Sequence, residues 1–216
     1  LLDFYSGEQD LKNGVIRVLH SLSFVDDPTR VLRAVRLEQR LGFQIEPRTL
    51  ALMEESLPLL NKLTGARIRH EINLILAEPK APQMLSRLWE LGILKTIHPA
   101  LPWDASLKEK LTQLNIEDID PIWELPDHCN HLDLHQTLSY LLWLGHLPQI
   151  TLRAITSRLR FKGELKKLLI ATSKLNRVLP GLRGAQPSAV VHEFQGAPCL
   201  AIYAVYHVTD DPELRK

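Results

Sequence analysis

Two adjacent acids, Asp26 and Asp27, precede Pro28, and arginines follow at Arg30, Arg33, Arg36 and Arg40 in the run FVDDPTRVLRAVRLEQR. An aspartate and an arginine three residues apart at the start of a helix point the same way. Asp27 and Arg30 thus set carboxylate acceptors beside a forked donor array, which complements the Watson–Crick edge of an unpaired base. The plainer alternative is a helix start, with acids at its positive end, an i to i+3 ion pair and a row of solvated arginines. Capping explains the acids and leaves the position of Arg30 open.

Other chemistry-bearing residues carry less. His131 and His135 would share a helix face, with His128 and Cys129 nearby, which is one arrangement of metal ligands. A zinc site needs a fourth ligand at a recognisable spacing, and His128 and Cys129 are merely neighbours in a loop, so no metal is assigned to this chain. His131-Leu132-Asp133 is not the adjacent His-Asp pair of a phosphohydrolase, and neither a P-loop nor a dinucleotide glycine fingerprint occurs. Cys129 and Cys199 form no C-x-x-C and are read as reduced thiols. Trp89, Trp103, Trp123 and Trp143 are scattered, as core or interface residues are, rather than spaced as a base-stacking ladder.

The elements that position these residues are mostly helices. Asp27 is a good N-cap with Pro28 at the first helical position, and the periodic segment runs to Leu41 with Gly42 as its stop. On a helical wheel Val31, Ala34, Val35, Leu37 and Leu41 share an apolar arc, and Arg33, Arg36 and Arg40 form an edge. Glu38 falls inside the apolar arc and is read as paired or at its rim. Pro47 opens a second helix to about residue 57, Thr64 caps a third over about 66–77, and Pro79 restarts a pattern that ends at Gly92. A short helical stretch to His98-Pro99 follows, with further helices over about 105–114, 132–147, 150–160, 163–179, 187–195 and 197–208.

Residues 1–20 read as strand, turn and strand around Asn13-Gly14. Two strands alone are marginal, so this piece is expected to complete a sheet lying upstream of Leu1, in a longer parent chain. The fold class is mainly α, with a short β remnant at the N-terminus. Residues 1–23 form that remnant, 24–114 a first helical unit, 115–130 a polar linker (NIEDIDPIWELPDHCN) and 131–216 a second helical unit.

The 216 residues are 45% hydrophobic and 24% charged, which is a soluble globular composition. No apolar run reaches the ~18 residues of a membrane helix and no signal peptide is evident, so no membrane partner and a cytoplasmic location are expected. The net charge of +1 hides an asymmetry. Residues 111–152 hold no Lys or Arg but include Glu117, Asp118, Asp120, Glu124, Asp127 and Asp133. Residues 153–183 hold Arg153, Arg158, Arg160, Lys162, Lys166, Lys167, Lys174, Arg177 and Arg183 against one acid, Glu164. Such a local excess suits a polyanion, or it is a solvated helical face.

The run DLKNGVIRVLHSLSFVDDPTRVLRAVRLEQRLGFQIEPRTL closely resembles the junction between head and neck of the class II tRNA nucleotidyltransferases and poly(A) polymerases of bacteria. Asp10, Leu11, Gly14, Ile16, Arg17, Asp27, Arg30, Arg33, Ala34, Arg36, Arg40, Leu41, Gly42 and Phe43 match its pattern. GARIRHEINLIL resembles that family's E-R-I-x-x-E-L, with Arg67, Ile68 and Glu71 in register, and LWELGILKTIHPAL resembles its L-x-x-x-G-L-L-x-x-x-P-E-L. The resemblance extends more weakly through QPSAVVHEFQGAPCLAIYAV.

By that resemblance Asp27 and Arg30 are the pair that hydrogen-bonds the base of incoming ATP or CTP, Asp26 is a supporting position, and Arg33, Arg36 and Arg40 order the pair or touch phosphates. The basic segment would grip the tRNA backbone near its 3′ end without reading sequence. Two departures stand out. Asp3-Phe4-Tyr5-Ser6-Gly7 replaces D-P-F-G-G, and Ala66 replaces the glutamate before Arg67, which leaves Arg67 without its expected partner.

The family's catalysis uses magnesium held by a D-x-D pair that follows a G-G-x-x-R-D loop. No such loop with its following pair occurs in these residues, so the resemblance implies base recognition and tRNA binding here without transfer by this chain alone. A non-catalytic helical RNA-binding or scaffold protein is the alternative. A helix-turn-helix DNA binder is disfavoured, because no helix combines basic and amide residues on a compact face.

Overall fold

The computed structural model describes residues 3–209. It is mainly helical, with two small two-stranded sheets among the described residues. By its contacts the chain divides into two compact units between Leu101 and Pro102.

In the first unit, Asp3 accepts hydrogen bonds from the amides of Gly7 and Glu8, both at 2.9 Å, and so caps α1 (Gly7–Asn13). Ser6 takes the left-handed conformation (φ 58°) where the family pattern has glycine. α1 closes on Gly14, whose φ of 64° favours glycine, and the chain enters β1 (Val15–Ile16). β1 pairs in parallel with β2 (Gln44–Ile45), Val15 opposite Gln44. The strand–turn–strand reading of residues 1–20 is therefore corrected. Asn13-Gly14 ends a helix, and the partner of β1 lies downstream, after the next long helix.

A single turn, α2 (Ser23–Asp26), leads to α3 (Arg30–Leu41). The regular helix runs from Arg30, and Asp27 makes the bond expected of the predicted cap, its Oδ1 accepting from the Thr29 amide at 3.0 Å. Gly42 (φ 68°) and a bond from the Phe43 amide to the Glu38 carbonyl at 3.0 Å end the helix as expected. The buried face is Val31, Leu32, Ala34, Val35 and Glu38, whereas Leu37 and Leu41 are exposed. The face is rotated from the predicted arc, with Leu32 inside it and Leu37 and Leu41 outside, and Glu38 within it is paired, with Arg87. Arg87 belongs to α6 (Ala81–Glu90), and its Nε donates to Glu38 Oε2 at 3.0 Å and its Nη2 to Oε1 at 3.4 Å.

α4 (Pro47–Ser56), a 3-10 turn over 57–62, α5 (Gly65–Leu76) and α7 (Ile93–Ile97) complete the unit. Thr64 caps α5 as predicted. The core contains Phe24, Val35, Ile68, Ile72, Met84 and Leu88, each almost fully buried. Burying each such side chain contributes about 1.5–3 kcal/mol before entropy is counted.

The second unit opens with Trp103 and α8 (Ala105–Thr112), capped by Asp104. α8 packs on α9 (Leu134–Leu144), Trp103 meets the edge of Trp143, and the Trp143 indole donates to the Pro102 carbonyl at 2.7 Å. The division thus precedes the 115–130 stretch, which runs mostly exposed within the second unit and holds a 3-10 turn at 121–123. β3 (His128–Cys129) and β4 (Leu132–Asp133) form an antiparallel hairpin around Asn130 (φ 58°). With the β1–β2 pair, that hairpin accounts for the small strand content of a mainly α fold. Asp133 then caps α9 in a reciprocal capping box with Gln136. α10 (Gln149–Arg158), α11 (Gly163–Val178), α12 (Pro187–Phe194) and α13 (Cys199–Val208) follow, with Leu175, Ala201 and Val205 as the core where α11 meets α13. No helix among the described residues is long and apolar enough to cross a membrane.

Candidate nucleotide and RNA interface

Asp27 stands in an extended conformation between α2 and α3, at one wall of an open cleft of about 440 Å³. Thr29, Arg33, Arg67, His70 and Glu71 line the rest. The carboxylate is asymmetric. Oδ1 accepts from the Thr29 hydroxyl at 2.6 Å, the Thr29 amide at 3.0 Å and Arg67 Nη2 at 2.7 Å, while Oδ2 accepts no hydrogen bond among the described residues. Partial burial is the largest single influence on this carboxyl and raises its pKa. The bonds from the Thr29 hydroxyl and amide, then the charges of Arg67 and Arg30, outweigh burial, so the pKa lies below the ordinary aspartate value.

The i to i+3 ion pair expected as the plain alternative does not form. Arg30 is exposed and donates from Nη1 to the Ser23 carbonyl at 3.2 Å, which ties it to the end of α2. The partner of Asp27 is Arg67, the residue that Ala66 had seemed to leave alone. Nothing in local spacing signals this pair, since forty positions separate its members. Asp26 faces away, 3.8 Å from the His20 ring, and is exposed.

The arginine edge divides by role. Arg36 bridges Glu71 at 3.8 Å and Glu78 at 3.6 Å, and Arg40 reaches Glu78 at 3.5 Å, so both tie α3 to α5 and the turn after it. Arg36 Nε and Glu71 Oε2 are buried without a hydrogen bond, and the two side chains are close neighbours, so each is the natural partner of the other's unpaired atom. Arg33 is exposed, lines the cleft, and its side chain has no partner among the described residues. Arg17 grips the Asp10 carboxylate with two nitrogens, giving these matched positions a structural role between α1 and β1.

Among the described residues no three His, Cys, Asp or Glu are arranged to hold a metal ion. Cys129 is buried, and burial, then the charge of Glu164, pushes its thiol up to about 11. A D-x-D spacing taken alone recurs at Asp118 and Asp120 in the exposed stretch. There Asp118 accepts from the Asn115 amide group at 2.9 Å and Asp120 caps the 121–123 turn, and no glycine-rich loop precedes them. The described residues do not fit a magnesium site.

In the second unit Arg153, Arg160, Lys162, Lys166, Lys167, Lys174 and Arg177 are exposed, and Arg158 is half-buried. On α11, Lys166, Lys167, Lys174 and Arg177 fall within an arc of about 100°, opposite the buried stripe of Leu165, Leu168, Leu169, Thr172 and Leu175. None of these four has an ion-pair partner among the described residues.

Residues 42–104 match a family described as the probable RNA and SrmB-binding site of polymerase A. The chain is 47% identical over 103 residues to an A-adding tRNA nucleotidyltransferase of Geobacter sulfurreducens, covering 47% of this chain and 12% of that protein. It is 36% identical over 121 residues to the A-adding enzyme of Halalkalibacterium halodurans, covering 54% of this chain and 28% of that protein. A solved structure of a CCA-adding enzyme with ATP superposes with a TM-score of 0.75 at 29% identity, covering 99% of this chain and 51% of that one. The CCA-adding enzyme of Thermotoga maritima complexed with tRNA superposes at 0.74, also at 29% identity, over 99% of this chain and 52% of that one. The chain therefore matches a minor part of the curated relatives' length and about half of the solved chains.

Proposed function

We propose that this chain is part of a class II tRNA nucleotidyltransferase, and that it reads the base of an incoming ATP or CTP and holds tRNA for addition at its 3′ end. The observation that carries this reading is the Asp27 carboxylate in its cleft, one oxygen saturated by protein donors and the other left to accept from a ligand. An acceptor so placed favours bases with an exocyclic amino group, which adenine and cytosine share. Arg30, fixed at Nη1 by the Ser23 carbonyl, keeps other guanidinium donors for the ring nitrogen beside that amino group. Arg33 lies on the cleft wall as an unpaired cation for phosphate. The α11 cations supply the tRNA grip, and magnesium-dependent transfer is assigned to carboxylates outside this sequence.

The test is nucleotide binding by the full chain, followed by ligand-observed NMR at millimolar ATP, CTP, GTP and UTP. CTP should bind more tightly than UTP, and Asp27→Asn should abolish that preference by replacing an acceptor with a donor-bearing amide. A preference that survives Asp27→Asn removes Asp27 from base reading.

A further inference from the structure

We propose that a second cleft of the first unit docks a partner protein, taking a segment that carries a large apolar side chain between a basic and an acidic residue. The cleft has a volume of about 480 Å³ and shares no lining residue with the Asp27 cleft. One wall is α4 and the turn after it, where Leu50, Met53 and Leu57 recur at helical spacing and so share a face. The other is the joint of α6 with α7, where Leu91 and Ile93 flank Gly92. A Cβ at Gly92 would meet nothing within 4 Å, so the chain's own side chains leave this side open. Met53 and Ile93 are buried, whereas Leu50, Leu57 and Leu91 are only half-buried and keep apolar surface in water. The volume admits one large apolar side chain, the kind of anchor that dominates protein interfaces. Trp89, one residue before the lining Glu90, is 44% exposed, and tryptophan is enriched at such interfaces.

The exposed charges of the lining choose the partner. Glu54 stands on the α4 wall and Lys95 on the α7 wall, and neither has an ion-pair partner among the described residues. Opposite charges on facing walls that do not reach each other leave a place for a chain between them, its cation toward Glu54 and its anion toward Lys95. Glu90, bonded to Arg87 at 3.4 Å, adds a second acid. Two acids to one lysine repel a phosphate backbone, so the cleft suits protein and not RNA. Exposed charge pairs add little affinity and mainly set orientation and choice of partner, which leaves the affinity to the apolar anchor.

The experiment selects peptides from a phage-displayed library on the immobilised full chain, then titrates a selected peptide into the chain with labelled methionine methyls. The selected sequences should share a large apolar residue between a basic and an acidic one. The peptide should shift the Met53 methyl resonance and leave that of Met84, the other methionine, which lies outside the lining. Leu91→Glu should abolish binding. Glu54→Lys/Lys95→Glu, which reverses two exposed charges, should weaken the peptide roughly tenfold and select sequences with the charges inverted. Circular dichroism checks that both variants fold, and the charge reversal decides alone if Leu91→Glu does not. A library that yields nothing above the blank support, a Met53 resonance that does not move, or binding indifferent to the charge reversal overturns the proposal. Self-association of the free chain on gel filtration that Leu91→Glu abolishes would make the occupant a second copy, which also overturns it.

Discussion

At the scale of single residues, the chain separates arginines that hold the fold from those left for ligands. Arg36, Arg40 and Arg87 are spent on Glu71, Glu78 and Glu38, whereas Arg33 and the free edge of Arg30 remain available. Glu38 is the most demanding of these acids because it is 6% exposed at the centre of the buried face of α3. Its forked bonds from Arg87 also raise the Arg87 pKa, chiefly through the hydrogen bond to Glu38. Removing one member of such a pair strands a buried charge, while replacing both with apolar groups does not. Arg87→Leu should therefore destabilise the first unit by about 3 kcal/mol. The double variant Glu38→Leu/Arg87→Leu should recover most of that loss. Urea unfolding midpoints check both, and an equal loss in the double variant would mean that shape, not charge, sets the cost.

At the scale of elements, α8 decides where the chain divides. Its contacts to α9, the Trp103–Trp143 edge contact and the indole bond to Pro102 join it across the exposed 115–130 stretch. A protease specific for glutamate should cut at Glu117 or Glu124, and the two pieces should stay together on gel filtration while separating in denaturing gels. Dissociation of the nicked protein would place the division in the loop instead. Composition pointed to that loop because acidity and proline mark exposure, but exposure does not say which neighbours pack across a loop. Helix starts at Pro47 and Thr64 and stops at Gly42 and Gly92 were legible because capping chemistry is local. The pairing of β1 with β2, the small hairpin at Asn130 and the Arg67 partner of Asp27 were not. Two-residue strands leave no periodicity, and a contact between distant helices leaves no spacing. Asp27 and Arg30 were visible as a chemical pair, yet the ion pair that local rules favour between them gives way to one tertiary contact, from Arg67, and one bond back to the preceding turn, at Ser23.

At the scale of the whole molecule, a net charge of +1 offers almost no general attraction for a polyanion, so the proposed grip on tRNA rests on where the charges sit. The exposed acids of residues 115–127 repel phosphate over little more than the ~8 Å screening length of physiological salt. The α11 face is different, since Lys166, Lys167, Lys174 and Arg177 are aligned, exposed and unneutralised. If each cation displaces one condensed counterion from tRNA, the logarithm of affinity falls with the logarithm of salt by roughly 0.7–0.9 per contact. Lys166→Gln/Lys167→Gln should then reduce that slope by about 1.5 and weaken tRNA binding roughly tenfold at moderate salt, with no change in the preference for CTP over UTP. Filter binding across a salt series measures the slope and the nucleotide titration measures the preference. An unchanged slope would return the α11 face to the status of a solvated surface. A changed preference would mean that the two units do not divide base reading from backbone grip.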